Sequence, residues 1–395
     1  MQPVKIKNGR IITPMRVIEG GEVVFQEGKI LRVGAADPST DAGCQIIDAQ
    51  GRYVAPGFID MHTHGAGGHD FMDGTLEAFL GAAKEHARHG TTCLLPTSLA
   101  CSDEELFEMF RIFRQASKEN AEGASMPGVH LEGPFFAPSQ KGAQDEKYIV
   151  PPVKEHYEKI LEEGGDVILR WSSAPELEGA FAFSRAITDR GIVSAIGHSD
   201  ATDDIVCEAY ENGYTLMTHL YSGMSGLKRV KSYRYPGVIE SAYIYSEYNV
   251  EIIADGCHLP ANLLKLIYQS LGTNRVALVT DSMRGAGMPD GDTILGSLKN
   301  GQRCVIEDGV AKMPDRNSFA GSVATAERLV RNMRDLAGAP IWDAVKMMTM
   351  TPARILGLPN KGILAPGNDA DIVLFDGHVD IQRTIVQGRT VYTRQ

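Results

Sequence analysis

No run of about 18 apolar residues occurs in this chain, so no membrane-spanning helix is expected. Nor does the N-terminal stretch, MQPVKIKNGRIITP, offer the apolar segment of a secretion signal; charges and alternation stand there instead. Positive charge is in deficit: 39 Lys and Arg against 50 Asp and Glu leave a net charge of -11. That balance argues against general binding to nucleic acid or to anionic membranes, while leaving room for an anionic small molecule held by a local basic cluster. Among the six cysteines (Cys44, Cys93, Cys101, Cys207, Cys257, Cys304) none are spaced as CxxC. In a chain this long they read as core thiols of a reducing compartment, and the cytoplasm is the expected location. Fixed-period repeats and low-complexity segments are missing too.

What is present is a long alternation of strand and helix signals between two strand-rich ends. Residues 1–54 read as short strands joined by tight turns at Asn8-Gly9 and Glu27-Gly28, and residues 356–395 have the same texture around Ile372-Val373-Leu374-Phe375 and Gln387-Gly388. Both ends are expected to build one small β-sandwich domain. The middle, 55–355, carries eight apolar, β-rich runs at 58–64, 91–96, 129–132, 167–172, 192–198, 215–219, 250–255 and 276–281. Amphipathic stretches such as 76–89 and 103–118 lie between them. Strands alternating with helices imply parallel βα units, so the expected fold is α/β, a (β/α)8 TIM-like barrel. An open doubly wound sheet is the fallback, but no glycine-rich phosphate loop follows the first strand.

The chemistry gathers at the C-terminal ends of these runs. The first ends in His62-Thr63-His64. Residues two apart on a strand point to the same side, so both imidazoles can meet one ion. Later runs end in His130-Leu131-Glu132, Gly197-His198, Thr218-His219, Asp255-Gly256-Cys257-His258 and Thr280-Asp281. One such residue is ordinary; a barrel that brings six such ends to one face makes a site. Imidazoles and a carboxylate around an open position are what a catalytic zinc requires. Glu132, His198 and His219 are expected to hold one divalent metal, and His62 and His64 a second, with Glu132 bridging. Zinc is the first expectation; iron, cobalt and manganese suit the same ligands. Asp281 is the candidate general base and acid, and His258 the candidate hydrogen-bond partner of a substrate carbonyl or hydroxyl.

Other residues receive plainer readings. His86 and His89 are expected at a helix end or surface, His69 in a loop, and Met347-Met348-Thr349-Met350 in a helix core. Cys257 lies next to the site without a base histidine paired to it in a nucleophile motif.

The series PGFIDMHTHG, HLEGPF, GHS, THLY, ADGCH and VTDSM resembles the amidohydrolase superfamily. Within it, GVHLEGPFFAPSQKGA, IADGCHLP and VTDSMRGAG resemble the N-acetylglucosamine-6-phosphate deacetylase family, over nearly the whole chain. The resemblance implies hydrolysis of the acetamide of an amino-sugar phosphate. It also implies metal binding by Glu132, His198 and His219 and proton transfer by Asp281. Some members of the family lack the HxH pair and use one metal; this chain keeps His62 and His64.

Three departures touch the expected substrate pocket. Where the family reads HL(Y/F)NAM, this chain has His219-Leu220-Tyr221-Ser222-Gly223-Met224; the histidine often found after KGA is Gln144, next to Ala143. The segment before Tyr235-Pro236-Gly237 is longer, and Arg234 aligns with the family's phosphate-binding arginine. Lys228, Arg229 and Lys231 make this the most basic stretch of an acidic chain. In the family that arginine reaches across a subunit interface, so a homodimer is implied. The departures leave open another N-acetyl-hexosamine phosphate, or a different amide, as substrate. Cyclic-amide hydrolases of the superfamily often carry a lysine at the fourth strand end, and none stands there. A non-catalytic homologue used for binding would be marked by loss of a ligand or of the acid, and none is lost.

Overall fold

The computed structural model describes residues 2–395. Its centre is a set of eight parallel strands, each followed by at least one helix: Phe58–Thr63, Thr91–Pro96, Val129–Glu132, Ile168–Ser173, Val193–Ile196, Tyr214–Met217, Asn249–Ile252 and Val276–Leu278. The third to eighth form one parallel half-barrel sheet in chain order, and the first pairs with the second. Thr97 bridges to His130 in parallel register between the second and third. Between the eighth and first, the Asp281 amide donates to the His62 carbonyl (2.9 Å) and the His64 amide to the Ser282 carbonyl (2.8 Å). The interior is filled by inward side chains, among them Ile59, Met61, Leu95, Leu216, Ala277 and Val279, closed at one end by Ala353 and Leu356. A filled interior leaves the strand ends as the place for chemistry.

Several strands stop short of the ranges expected from sequence. The fifth ends at Ile196, the sixth at Met217 and the eighth at Leu278. The reason lies just beyond: His198 (φ 49°), His219 (φ 30°) and Asp281 (φ 45°) adopt left-handed backbone, which a strand cannot continue through. Such conformations cost about 1–3 kcal/mol each for residues other than glycine and gather at functional sites.

The two chain ends do share a sheet. It is one mixed sheet of eight strands, in which Ile372–Phe375 runs antiparallel to Tyr53–Pro56 and so ties the C-terminal strands to Val4–Ile12 and Val17–Gln26. Ile6, Val23, Val54, Ile372 and Ile385 are among its buried residues. An element not expected from sequence follows the eighth strand, an antiparallel sheet of Gly291–Leu295, Gln302–Glu307 and Val310–Lys312. Among the described residues no helix is long and apolar enough to cross a membrane.

His86 stands in the last turn of its helix, one of the two expected readings, but not at the surface. It is buried, and its Nε2 lies 2.9 Å from the Thr63 hydroxyl, because helix Leu76–Arg88 turns that face onto the first strand. Burial drives its pKa down to about 4. His89 does sit at the helix end, where it joins Glu327 (2.6 Å) and Glu85 (3.3 Å). Burial opposes its charge, but the hydrogen bonds to Glu327 and Glu85 prevail and raise its pKa to about 9. A raised folded value means the stabilisation is complete below the ordinary value of 6.5 and fades as pH rises through 9. His89→Gln is therefore expected to cost about 2 kcal/mol at pH 6 and far less above pH 10. Thermal melts of both proteins across that range check it; a deficit independent of pH would be the wrong result.

Candidate metal and catalytic site

Glu132 ends the third strand with its carboxylate buried and ringed by imidazoles. Its Oε1 lies 3.0 Å from His219 Nε2, 3.2 Å from His198 Nε2 and 3.5 Å from His62 Nε2. Its Oε2 lies 3.3 Å from His64 Nε2. Two groups follow, His62–His64–Glu132 and Glu132–His198–His219, each with its ligand atoms within 4.8 Å of one another. Asp281 stands on the far side of the pair, with Oδ1 3.4 Å from His62 Nε2 and 3.1 Å from His64 Nε2. The five metal candidates and the acid named from the sequence thus come together.

The electrostatics are those of a cluster short of positive charge. Burial favours protonation of Glu132, but the His62 charge and the hydrogen bonds from His198, His219 and His64 hold it well below the usual carboxylate range. Burial penalises a charged His64, yet Asp281 and Glu132 raise its pKa well above 6.5. Asp281 is likewise lowered, with His62 and His64 overcoming its burial. A divalent cation would take the place of these shared protons. His62 fits such an ion as a donor, since its Nε2 is buried with no hydrogen-bond partner and faces both carboxylates.

Neighbouring loops orient these side chains. His198 Nδ1 is 2.7 Å from the Gln140 carbonyl, which leaves Nε2 for the cluster, and Phe136 packs on its ring at 4.4 Å. Gly223 (φ 55°) explains one departure from the family pattern. A Cβ there would sit 2.8 Å from His198 Nδ1 and 3.1 Å from the Gln140 carbonyl oxygen. Gln144 holds the Glu132 carboxylate: its Oε1 accepts from the Ala100 amide and its Nε2 donates to Glu132 Oε2, both at 2.8 Å.

A cavity of about 230 Å³ opens onto the cluster, lined among others by Ala143, Gln144, Ser222, Gly223, His258 and Phe319. His258 Nδ1 lies 2.8 Å from Asp255 Oδ2, and the Asp255 carboxylate also accepts the His258 and Cys257 amides. Arg234 is the residue the fold keeps apart. It lies on the exposed hairpin of Lys228–Val230 and Tyr233–Tyr235, with its guanidinium on the Ser232 carbonyl (2.8 Å), away from its own chain's cavity.

Sequence reasoning passed over several contributors. Phe319 and Leu295 reach the cavity from the unexpected antiparallel insertion and the loop after it. Arg170 and Glu251 lie under the histidines, fully buried and ion-paired. A lone charge inside an otherwise apolar strand (Val250-Glu251-Ile252, Leu169-Arg170-Trp171) was the available signal, because such residues are almost never buried unless paired.

This constellation of histidines, glutamate and aspartate at parallel strand ends agrees with what comparison finds. The amidohydrolase family model matches residues 53–391. The N-acetylglucosamine-6-phosphate deacetylase of Lysinibacillus sphaericus is 33% identical over 388 residues, 97% of this chain and 96% of that protein. The N-acetylgalactosamine-6-phosphate deacetylase of Escherichia coli O157:H7 is 29% identical, over 87% of this chain and 89% of that one. A mutant N-acetyl-D-glucosamine-6-phosphate deacetylase from Mycobacterium smegmatis, solved in complex with N-acetyl-D-glucosamine-6-phosphate, superposes with a TM-score of 0.90 at 29% identity and 100% coverage of both chains. The chain belongs to the amidohydrolase family, in the group of the N-acetylglucosamine-6-phosphate deacetylases.

Proposed function

We propose that this protein hydrolyses the acetamide of N-acetylglucosamine 6-phosphate, releasing acetate and glucosamine 6-phosphate. The observation that carries the reading is Glu132 shared by two histidine groups with Asp281 beside them at the floor of one cavity. The named relatives support the substrate. Glu132, His198 and His219 would hold one divalent ion, and His62 and His64 a second with Glu132 bridging; zinc heads the candidates. A divalent ion held there supplies Lewis acidity and brings the pKa of water to near 7.

The chain's own residues do the rest. Asp281, kept ionised by His62 and His64, accepts the proton of the attacking water and delivers it to the amine nitrogen as the C–N bond breaks. His258, with Nδ1 turned to Asp255, presents Nε2 to the cavity: with a proton on each nitrogen and Asp255 as counter-charge it donates to the carbonyl oxygen as its negative charge grows, and with Nε2 bare it accepts from a substrate hydroxyl. Ala143, Ser222 and Gly223 shape the sugar side of the cavity. Gln144 contributes a wall and a restraint on Glu132.

The eight parallel strands are read as one closed (β/α)8 barrel over residues 55–355, with the mixed terminal sheet as a small β domain of 1–54 and 356–395. The enzyme is read as a cytoplasmic homodimer. Exposed Leu227, Val230, Tyr233 and Tyr235 around Arg234 support a hairpin that docks on a second copy and presents Arg234 to that copy's substrate phosphate. Arg234→Ala is then expected to raise KM about tenfold with kcat nearly unchanged. An unchanged KM in steady-state kinetics would remove Arg234 from phosphate binding.

The test of the function is acetate release by purified, metal-replete protein from N-acetylglucosamine 6-phosphate, its galactosamine and mannosamine epimers, and the unphosphorylated sugar. Fast turnover of the first, abolished by a chelator, is expected. Ser222, Gly223 and Gln144 favour a second reading, an epimeric N-acetyl-hexosamine phosphate; preference for the galactosamine compound would establish it. No turnover of any of them would overturn both.

A further inference from the structure

Beneath the two histidine groups lies an ion pair that the chemistry above does not use. Arg170, on the fourth strand, and Glu251, on the seventh, are both fully buried and joined through Arg170 Nη1 and Glu251 Oε1, with a second contact of 2.9 Å from Nη2 to Oε2. Removing two charges from water costs several kcal/mol per ion and is not by itself a source of stability. What the pair touches is therefore informative. Glu251 Oε2 lies 3.5 Å from His62 Nδ1 and accepts the His219 amide at 3.2 Å. Arg170 Nη1 donates to the Met61 carbonyl (3.1 Å), next to His62, and Nη2 to the Thr218 hydroxyl (2.9 Å), next to His219. His130 packs edge-on against the His62 ring at 4.6 Å and blocks its rotation from the side.

We infer that the Arg170–Glu251 pair is a positioning device for the second metal site: Glu251 holds the proton of His62 on Nδ1, so that Nε2 is bare and aimed at Glu132 and Asp281. A ligating histidine usually has such a partner on its other nitrogen, which fixes tautomer and ring orientation. His198 has the Gln140 carbonyl for this purpose, and Glu251 does the same for His62. Arg170 pins the carboxylate through two contacts, so the acceptor is held in place under His62. The inference rests on the reading of these groups as metal sites.

Cobalt binding to the metal-free protein, followed by chelator competition and the visible spectrum of the bound ion, tests it without recourse to turnover. In wild type, two equivalents are expected. In Glu251→Gln, and in the charge-balanced Arg170→Met/Glu251→Gln protein should the single variant not fold, the His62–His64 equivalent is expected to weaken about 10- to 100-fold. The Glu132–His198–His219 equivalent should weaken less, by no more than about threefold, since His198 keeps the Gln140 carbonyl on Nδ1 and His219 meets Glu251 only through its backbone amide. A folded variant with both equivalents at wild-type affinity overturns the inference, as does equal weakening of both, the mark of a general packing defect. Nitrogen-15 NMR of histidine-labelled, metal-loaded wild type, with His62→Gln for assignment, should show the His62 proton on Nδ1; a proton on Nε2 also overturns it. A wild type that binds no metal under any condition overturns the metal reading itself, a different failure from variants that bind like wild type.

Discussion

In an Asp281→Asn protein, kcat for acetate release is expected to fall by about 10³-fold, within the range for losing a positioned acid–base group. Asparagine keeps the shape and can accept a hydrogen bond, but it cannot take a proton from water or return one to nitrogen. Asp281 touches His62 and His64 through Oδ1 at 3.4 and 3.1 Å, while Glu132 remains as the shared anion of both groups. Metal content should therefore stay near that of wild type, and KM should change little, because the loss falls on the transition state. Metal analysis beside steady-state kinetics separates the cases. A fall in turnover accompanied by loss of metal would make Asp281 a ligand rather than the proton carrier, and turnover within tenfold of wild type would end its assigned role.

Replacing Glu132 with glutamine should have the larger effect, loss of both metal equivalents and of at least about 10⁴-fold in turnover, since the Lewis acid and the acidified water go together. Four histidines converge on this one carboxylate, and a neutral amide offers them no countercharge. In the metal-free state the same change removes one partner of a buried charge cluster, a loss of about 3 kcal/mol or more. Its pH dependence has a definite sign. The depressed pKa of Glu132 contributes stability that is complete above 4.5 and lost as pH falls through the folded value. The raised pKa of His64 contributes stability that is complete below 6.5 and lost as pH rises through its folded value. The gap in Tm between metal-free wild type and Glu132→Gln should accordingly be widest between pH 4.5 and 6.5. Calorimetry of both proteins in chelator measures it, and a gap that grows steadily to pH 9 would contradict the assignment.

Much of this site was legible because strand ends carry their chemistry in plain order. The alternation of apolar β-rich runs and amphipathic helices marks parallel βα units, and period-2 geometry puts His62 and His64 on one side of their strand. Glu132, His198, His219 and Asp281 each follow such a run, and all of them meet. Less legible were residues whose meaning depends on what lies across the sheet. His86 looks like a surface residue on its helix until the helix is laid against Thr63. Arg170 and Glu251 are 81 positions apart, and neither announces the other.

The sequence by itself determined the residue types, their order and the side of each strand they occupy, and these pointed to divalent-ion and proton-transfer chemistry, which imidazoles, carboxylates and an acid at strand ends suit; the acetamide as substrate came with the family resemblance. Tertiary structure decided who shares whom. It put Glu132 between the two histidine groups, set Gln144 in the cavity wall with its amide on that carboxylate, placed Glu251 under His62, and set Arg234 outside its own cavity. The physical reason is that local periodicity fixes the direction of a side chain within its own element, whereas the partner at 3 Å is set by the packing of elements distant in the chain.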